Sequence, residues 1–319
     1  MRTVIVGAGA TGGFLGARLA RAGEDVVLVA RGPHLEAMRS RGIVVREKDG
    51  EYVARPECTA DLGVIADADV IWLTLKAHGI PAIAPAVGAA LRPGATVVSA
   101  QNGIPWWYFP DRSLDAVDPG GVIAASIPFD RVVGCVVYTA TAIKSPGVIE
   151  HIEGNRFSLG EPDGSRSQRL IGIAEVLSRA GLKAPVQTRL RSEIWLKLLG
   201  NATLNPVSAL TRATLEEMVG SQSTHDLLLQ LMHEVRAVAL SLGVELEVSP
   251  ERRLQGAGQV GAHRTSMLQD LDAGRPLEIE ALLGAVVELA GDNIAVPGLH
   301  TVLELTRLLD RTNRRSAQM

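Results

Sequence analysis

The chain has little sulfur, few rings and no long apolar run. Its 319 residues hold two cysteines, Cys58 and Cys135, which form no CxxC and suggest no disulfide framework. Such sparse usage fits a reducing compartment. No stretch approaches the 18 or so apolar residues of a spanning helix, so no membrane association is expected. The opening MRTVIVGAGATGG has too short an apolar run, broken by glycines, to read as a signal peptide. Charge of neither sign dominates: 32 Lys and Arg face 35 Asp and Glu, net −3. That balance gives no electrostatic reason for nucleic acid or an anionic membrane as partner. Repeats, low-complexity segments and His/Cys/Asp sets at metal-ligand spacing are also missing, so no metal is expected. What remains is an ordinary globular composition, 46% apolar and 21% charged, long enough for two domains. A cytoplasmic protein with a small-molecule partner is the expectation; a homodimer is left open.

The first half reads as strands alternating with helices. Thr3–Val6 suits a buried parallel strand, and Gly7, Gly9 and Gly12 follow as G-x-G-x-x-G at a strand-to-helix junction. In such a turn the first glycine permits the bend, the second lets backbone approach a pyrophosphate, and the third lets the helix pack close. Ala8, Ala10 and Thr11 belong to the same cofactor-binding turn, which ends at a helix N-terminus offering N–H groups to phosphate. The second strand, DVVLVAR over 25–31, ends in Arg31 where a NAD-preferring fold usually carries Asp or Glu. A guanidinium matches a phosphate and not a neutral diol, so Arg31 points to the 2′-phosphate of NADP. A solvated loop arginine is the plainer alternative. Two more strands, 68–78 and 95–103, end at Lys76 and at Gln101-Asn102-Gly103. Lys76 and Asn102 are therefore candidates for the nicotinamide ribose or the substrate, although Asn-Gly also makes a simple turn. Strands are expected again over 132–143, 147–154 and 155–161, with His151 as a structural residue.

After residue 186 the pattern turns helical, over 189–205, 208–219, 223–242, 250–260, 277–292 and 298–311. The fold class is an α/β Rossmann-type N-terminal domain, 1–186, followed by an all-α C-terminal domain, 187–319. In KLLGNATLNP, Lys197, Asn201 and Asn205 recur every four residues, which puts them on one face of a continuous helix. A Glu193–Lys197 surface pair would be the bland explanation. Two asparagines in a helix interior are costly unless they meet something polar. An ammonium and two amides could host a polar carbonyl substrate. Downstream, Ser266 and Glu278 flank the turn Ala273-Gly274-Arg275-Pro276, which could bring both toward one cleft. Equally, Ser266 could cap a helix over 267–272 and Glu278 could be a first-turn acid.

Taken in order, GAGATGG with Arg31, LKAH, QNG, KLLGNATLNP and HRTSMLQDLDAGRPLEIEAL resemble the ketopantoate reductase family (2-dehydropantoate 2-reductases) over most of the length. The resemblance implies a Rossmann-type domain, a helical domain, NADPH as cofactor and reduction of 2-dehydropantoate to pantoate, on the route to pantothenate and coenzyme A. It makes Lys197 the catalytic lysine. Asn201, Asn205 and Ser266 match the substrate-binding positions, Glu278 the family's glutamate, a second catalytic residue that would orient Lys197 or the substrate's terminal hydroxyl, and Lys76 and Asn102 the two cofactor-binding positions at the nucleotide-domain edge.

One stretch departs from that pattern. After QNG comes IPWWYFPDRSLDAVDPGGVIAASIPFD, with Trp106, Trp107 and Tyr108 consecutive in a chain only 3% aromatic. The rings could pack on the domain surface or another subunit, or form a lid that reshapes the pocket. His263 beside the second motif could contact ligand or be structural. The alternatives for the whole chain are an NADPH-dependent reductase of a different 2-oxo acid and a catalytically silent NADP-binding protein.

Overall fold

The computed structural model describes residues 1–316, so 317–319, the end of the expected helical domain, lie outside the described residues. The chain forms two compact units. The first comprises Met1–Gln101, Trp106–Ser113 and Asp118–Leu190; the second comprises Asn102–Pro105, Leu114–Val117 and the chain from Arg191 on. Two short pieces of the expected first domain thus cluster with the helices.

The first unit contains β1 (Thr3–Val6), α1 (Ala10–Arg21), β2 (Val26–Val29), α2 (Gly32–Arg41), β3 (Ile43–Glu47), β4 (Gly50–Ala54), β5 (Glu57–Thr59) and β6 (Val70–Leu73). Then follow α3 (Ala84–Ala90), β7 (Thr96–Ser99), α4 (Val122–Ser126), β8 (Val132–Ser145), β9 (Val148–Gly160) and α5 (Gln168–Arg179). One sheet holds all nine strands in the order β4-β3-β9-β8-β7-β6-β1-β2-β5. From β5 to β8 every pairing is parallel. The four-residue strands β1, β2, β6 and β7 are buried along their whole length, as a sheet covered on both faces requires. Trp72 meets Phe157 edge-on at 6.2 Å within this core, which also takes Phe14 and Leu15 of α1. From β1 the chain adds β2, crosses to the far edge for β3 and β4, comes back to place β5 beside β2, and then adds β6 on β1's other side. The carboxyl ends of β1 and β6 are the switch point where such sheets bind ligands.

Three strands were not anticipated. The segment IVVREKDGEYVA folds as the antiparallel β3–β4 hairpin, and β3 joins β9 in parallel, far from β2; β5 pairs with β2. The two strands expected over 147–154 and 155–161 are the single strand β9. Gly154, at φ 72°, takes up the bend inside it, where pairing with β8 slips.

The second unit contains α6 (Leu190–Asn201, whose first residue still belongs to the first unit), α7 (Leu204–Thr211), α8 (Leu215–Gly220), α9 (Gln222–Ser241), α10 (Pro250–Gly258), α11 (Ser266–Asp272), α12 (Ala285–Ala290) and α13 (Pro297–Ser316). The expected continuous helix over 189–205 is therefore interrupted at 202–203. Pro206 explains the break: it has no N–H for the Ala202 carbonyl, and its ring would crowd that carbonyl. Thr203 fills the gap, its hydroxyl donating to the Leu199 carbonyl at 2.9 Å. The helix expected over 208–219 is likewise split, by Arg212 in the left-handed region at φ 60° and by a Thr214–Glu217 capping box that starts α8. The helix expected over 277–292 begins late. Leu277 is held by its N–H on Asp310 Oδ1 at 3.0 Å, and a π-helical turn, Glu280–Gly284, precedes α12. There the amides of Leu282, Leu283 and Gly284 all converge on the Ile279 carbonyl, which widens the turn.

His34 in the first turn of α2 ties that helix to the β8–β9 turn: its Nδ1 accepts from the Gly147 N–H at 3.0 Å. Burial pushes its pKa below the ordinary 6.5, and the Ala8 carbonyl pulls it partly back. On acidification the unfolded chain takes up this proton first, so the stability His34 contributes is full above about pH 6.5 and lost as pH falls further. His34→Asn, which keeps an acceptor but cannot protonate, is expected to lose less urea resistance than the parent between about pH 7.5 and pH 5.5. Parallel losses in the two proteins would show that His34 is not the titrating group.

Candidate functional site

In the first unit the glycine turn lies at the switch point. Gly7 takes φ 99°, and Thr74 Oγ1, just after β6, donates to its carbonyl at 2.9 Å. A Cβ on Gly12 would overlap Thr74 Oγ1 and the Gly7 carbonyl, so glycine there lets α1 seat on the turn. At Gly9 the opposite holds: a Cβ would meet nothing nearer than the Gly7 carbonyl at 3.9 Å. Protein packing does not require glycine at that position, whereas close approach of a phosphate does. No side chain caps α1, so the amides of Ala10, Thr11 and Gly12 face outward. Ala8 is buried, its N–H donating to Val29 at 3.0 Å. Lys76 follows Leu75, whose backbone presses on Gly7. Arg31 caps the N-terminal end of α2, exposed and without a hydrogen bond or ion pair among the described residues.

Gln101, which no motif marks as functional, aligns two strand ends. Its Nε2 donates to the Leu73 carbonyl at 2.5 Å while Oε1 accepts from Ser99 Oγ at 2.7 Å. The aromatic run packs inside the first unit: Trp106, Trp107 and Tyr108 are all buried, and Trp107 lies against Gly134 of β8. The three rings are thus neither laid on the domain surface nor exposed as a lid.

The second unit collects the rest. Lys197 Nζ donates to Asn102 Oδ1 at 2.6 Å. Asn102 is carried there by the piece Asn102–Pro105, whose Ile104 N–H donates to the Ala281 carbonyl at 2.9 Å. Gly103, at φ 86°, lies so close that any Cβ would overlap that carbonyl. Asn102, expected at the nucleotide-domain edge, is thus a direct neighbour of the lysine. Asn201, half-buried, is the last residue of α6, and its side chain makes no hydrogen bond among the described residues. Asn205 is in the first turn of α7, buried, its Nδ2 3.5 Å from Ser266 Oγ, the outer limit of a hydrogen bond. Helix ends tolerate asparagine, so the cost assigned to two interior asparagines does not apply.

Ser266 does not cap its helix. Thr265 does, accepting from the Leu268 N–H at 3.3 Å, which leaves the Ser266 hydroxyl exposed beside Asn205. Glu278 is half-buried in the irregular segment before the π-helical turn, not in a helical first turn. Behind it, Arg307 grips Glu280 through two bonds of 2.8 and 2.5 Å. His263 serves the backbone, its carbonyl accepting from the Leu215 N–H at 3.0 Å. His151 stacks on Phe14 at 4.5 Å and contacts the Gly154 carbonyl, a structural role.

The profile "Ketopantoate reductase PanE/ApbA" matches residues 3–164, and "Ketopantoate reductase PanE/ApbA C terminal" matches 189–310. A 2-dehydropantoate 2-reductase of Mesorhizobium japonicum is 46% identical, covering 97% of this chain and 98% of its own. The chain belongs to the ketopantoate reductase family. A crystal structure of a candidate ketopantoate reductase from Ralstonia solanacearum MolK2 is similar at TM-score 0.93 and 40% identity, over 98% of both chains. D-Mandelate dehydrogenase, solved with NADH and anilino(oxo)acetate, shares the ketopantoate reductase fold at TM-score 0.86 and 20% identity, over 98% and 99% of the chains.

Among the described residues no helix is long and apolar enough to cross a membrane. The division of labour at Thr265 and Ser266 is checkable by denaturation. Thr265→Ala should cost about 1 kcal/mol, the worth of an N-cap. Ser266→Ala should stay within about 0.5 kcal/mol, as for an exposed side chain.

Proposed function

We propose that the chain reduces the 2-keto group of 2-dehydropantoate to the hydroxyl of pantoate with NADPH, as a cytoplasmic step toward pantothenate and coenzyme A. The observation that carries this reading is the Lys197 ammonium held on Asn102 at 2.6 Å, in a chain so similar to a 2-dehydropantoate 2-reductase.

The glycine turn fits the cofactor. Open space at Gly9 and the uncapped start of α1 suit a pyrophosphate, with Gly7, Ala8, Ala10, Thr11 and Gly12 forming its cradle. The exposed guanidinium of Arg31 suits a 2′-phosphate, and Lys76 and Asn102 keep the cofactor roles that the family resemblance gives them. When bound, the dihydronicotinamide supplies the hydride. Lys197 acts on the other half of the reaction. It hydrogen-bonds the keto oxygen, stabilises the negative charge growing there and donates the proton. Such general-acid help contributes roughly 10²–10⁴ in rate, and losing a donor aimed at developing charge costs about 2.7–4 kcal/mol. Asn102 fixes the direction of the ammonium by accepting one of its three N–H bonds. Asn201, Asn205 and Ser266 hold the substrate's polar groups. Glu278 orients Lys197 or the substrate's terminal hydroxyl.

A steady-state assay with 2-dehydropantoate tests this. Lys197→Ala is expected to lose at least about 10² in kcat while NADPH still binds; near-normal turnover would remove the assignment. The same assay should favour NADPH over NADH, and Arg31→Ala should erase that preference. Indifference of the parent protein to the two cofactors would end the reading of Arg31.

A further inference from the structure

The turn that carries Ala281 is held from outside itself. A π-helical turn is rare and is found mostly at functional sites. In this one, Glu280–Gly284, the Ala285 N–H closes the turn on the Glu280 carbonyl. Two residues of α13, three positions apart and so on one face, grip its start. Asp310 Oδ1 accepts the Leu277 N–H at 3.0 Å. Arg307 donates to the Glu280 carboxylate through Nε at 2.8 Å and Nη2 at 2.5 Å.

The Glu280 carboxylate folds back over its own turn. A Cβ on Gly284 would overlap Glu280 Oε2, so glycine at that position leaves the carboxylate room to face Arg307. The guanidinium thus closes on a carboxylate that spans the turn. The residue after Glu280 is Ala281, whose carbonyl takes the Ile104 N–H at 2.9 Å and lies against Gly103. Asn102 comes just before, and its Oδ1 accepts from Lys197 Nζ at 2.6 Å. Every link from the Arg307 guanidinium to the Lys197 ammonium is a hydrogen bond, a backbone contact or one or two residues of chain.

We infer that Arg307 is a positioning residue for Lys197: through Glu280 it fixes the Ala281 carbonyl, and through that carbonyl the direction in which Asn102 holds the ammonium. The inference rests on the reading of Lys197 as the keto-oxygen donor. Displacing a catalytic group by about 1 Å can cost 10²-fold in rate, even when the cause is remote. An ion pair with both partners partly exposed, acting only as such, contributes little to stability and nothing to turnover. Arg307 also carries its own control. Its Nη1 donates to Glu304 Oε1 at 2.6 Å, a contact within α13 that leads nowhere near Asn102.

The test measures kcat and KM for 2-dehydropantoate at saturating NADPH, with thermal melting of each protein. Arg307→Met is expected to lose between about 10- and 10²-fold in kcat, with a smaller change in KM. Arg307→Lys keeps the charge without the fork and should fall between. Gly284→Ala favours a helix by propensity yet displaces the Glu280 carboxylate, so it should lose kcat as well. Glu304→Gln should leave kcat unchanged. The deciding arm repeats Arg307→Met in an Asn102→Ala background. There the side chain that carries the effect is gone, so kcat should change by less than about twofold. The whole loss reappearing in that background overturns the assignment, because Arg307 would then act by supporting the structure in general. So does an unchanged kcat in Arg307→Met or Gly284→Ala, or an equal loss in Glu304→Gln. Failure of the functional reading looks different: the parent protein itself would not turn over 2-dehydropantoate.

Discussion

The hydrogen bond from Lys197 to Asn102 organises the helical unit around one ammonium group. Its geometry is assembled from parts distant in sequence. Asn102 reaches the lysine because Gly103 can press against the Ala281 carbonyl, and Ala281 is presented by a π-helical turn. That turn is backed by the bidentate Arg307–Glu280 pair from α13. Hydrogen bonding to Glu280 pushes the Arg307 pKa above the ordinary guanidinium value, so this support stays charged at any working pH. In the role proposed for it, an ammonium directed in this way would meet a developing oxyanion without reorganising.

The α/β unit follows the same economy at the glycine turn. Gly7 and Gly12 are required by close contact with the segment after β6, whereas Gly9 is not crowded by any protein atom. Packing thus accounts for two glycines of the motif and leaves the third to the cofactor role proposed for it. Gln101 and Thr74 hold the loops after β7 and β6 in register with that turn through side-chain bonds to backbone carbonyls. None of these bonds touches a ligand, yet each determines where the residues after a strand can go.

Much of this was legible in the chain. The buried β-branched strands, the G-x-G-x-x-G turn and the long amphipathic helices α9 and α13 declare themselves by composition and period. The hairpin β3–β4 did not, because an edge strand such as β4 is mostly exposed and lacks a buried face to mark it. Helix ends were missed where a single residue overrode the period. Pro206 divides α6 from α7, Arg212 turns left-handed, and Thr265 takes the cap that Ser266 could equally have taken.

The amino-acid sequence by itself determined the class of fold and the family, since local period and short motifs carry those. Tertiary structure alone decided that Asn102 belongs with Lys197 and that Asn205 faces Ser266. Both pairs join residues at least 61 positions apart. Whether two such side chains meet depends on how intervening elements pack, and no spacing along the chain encodes it.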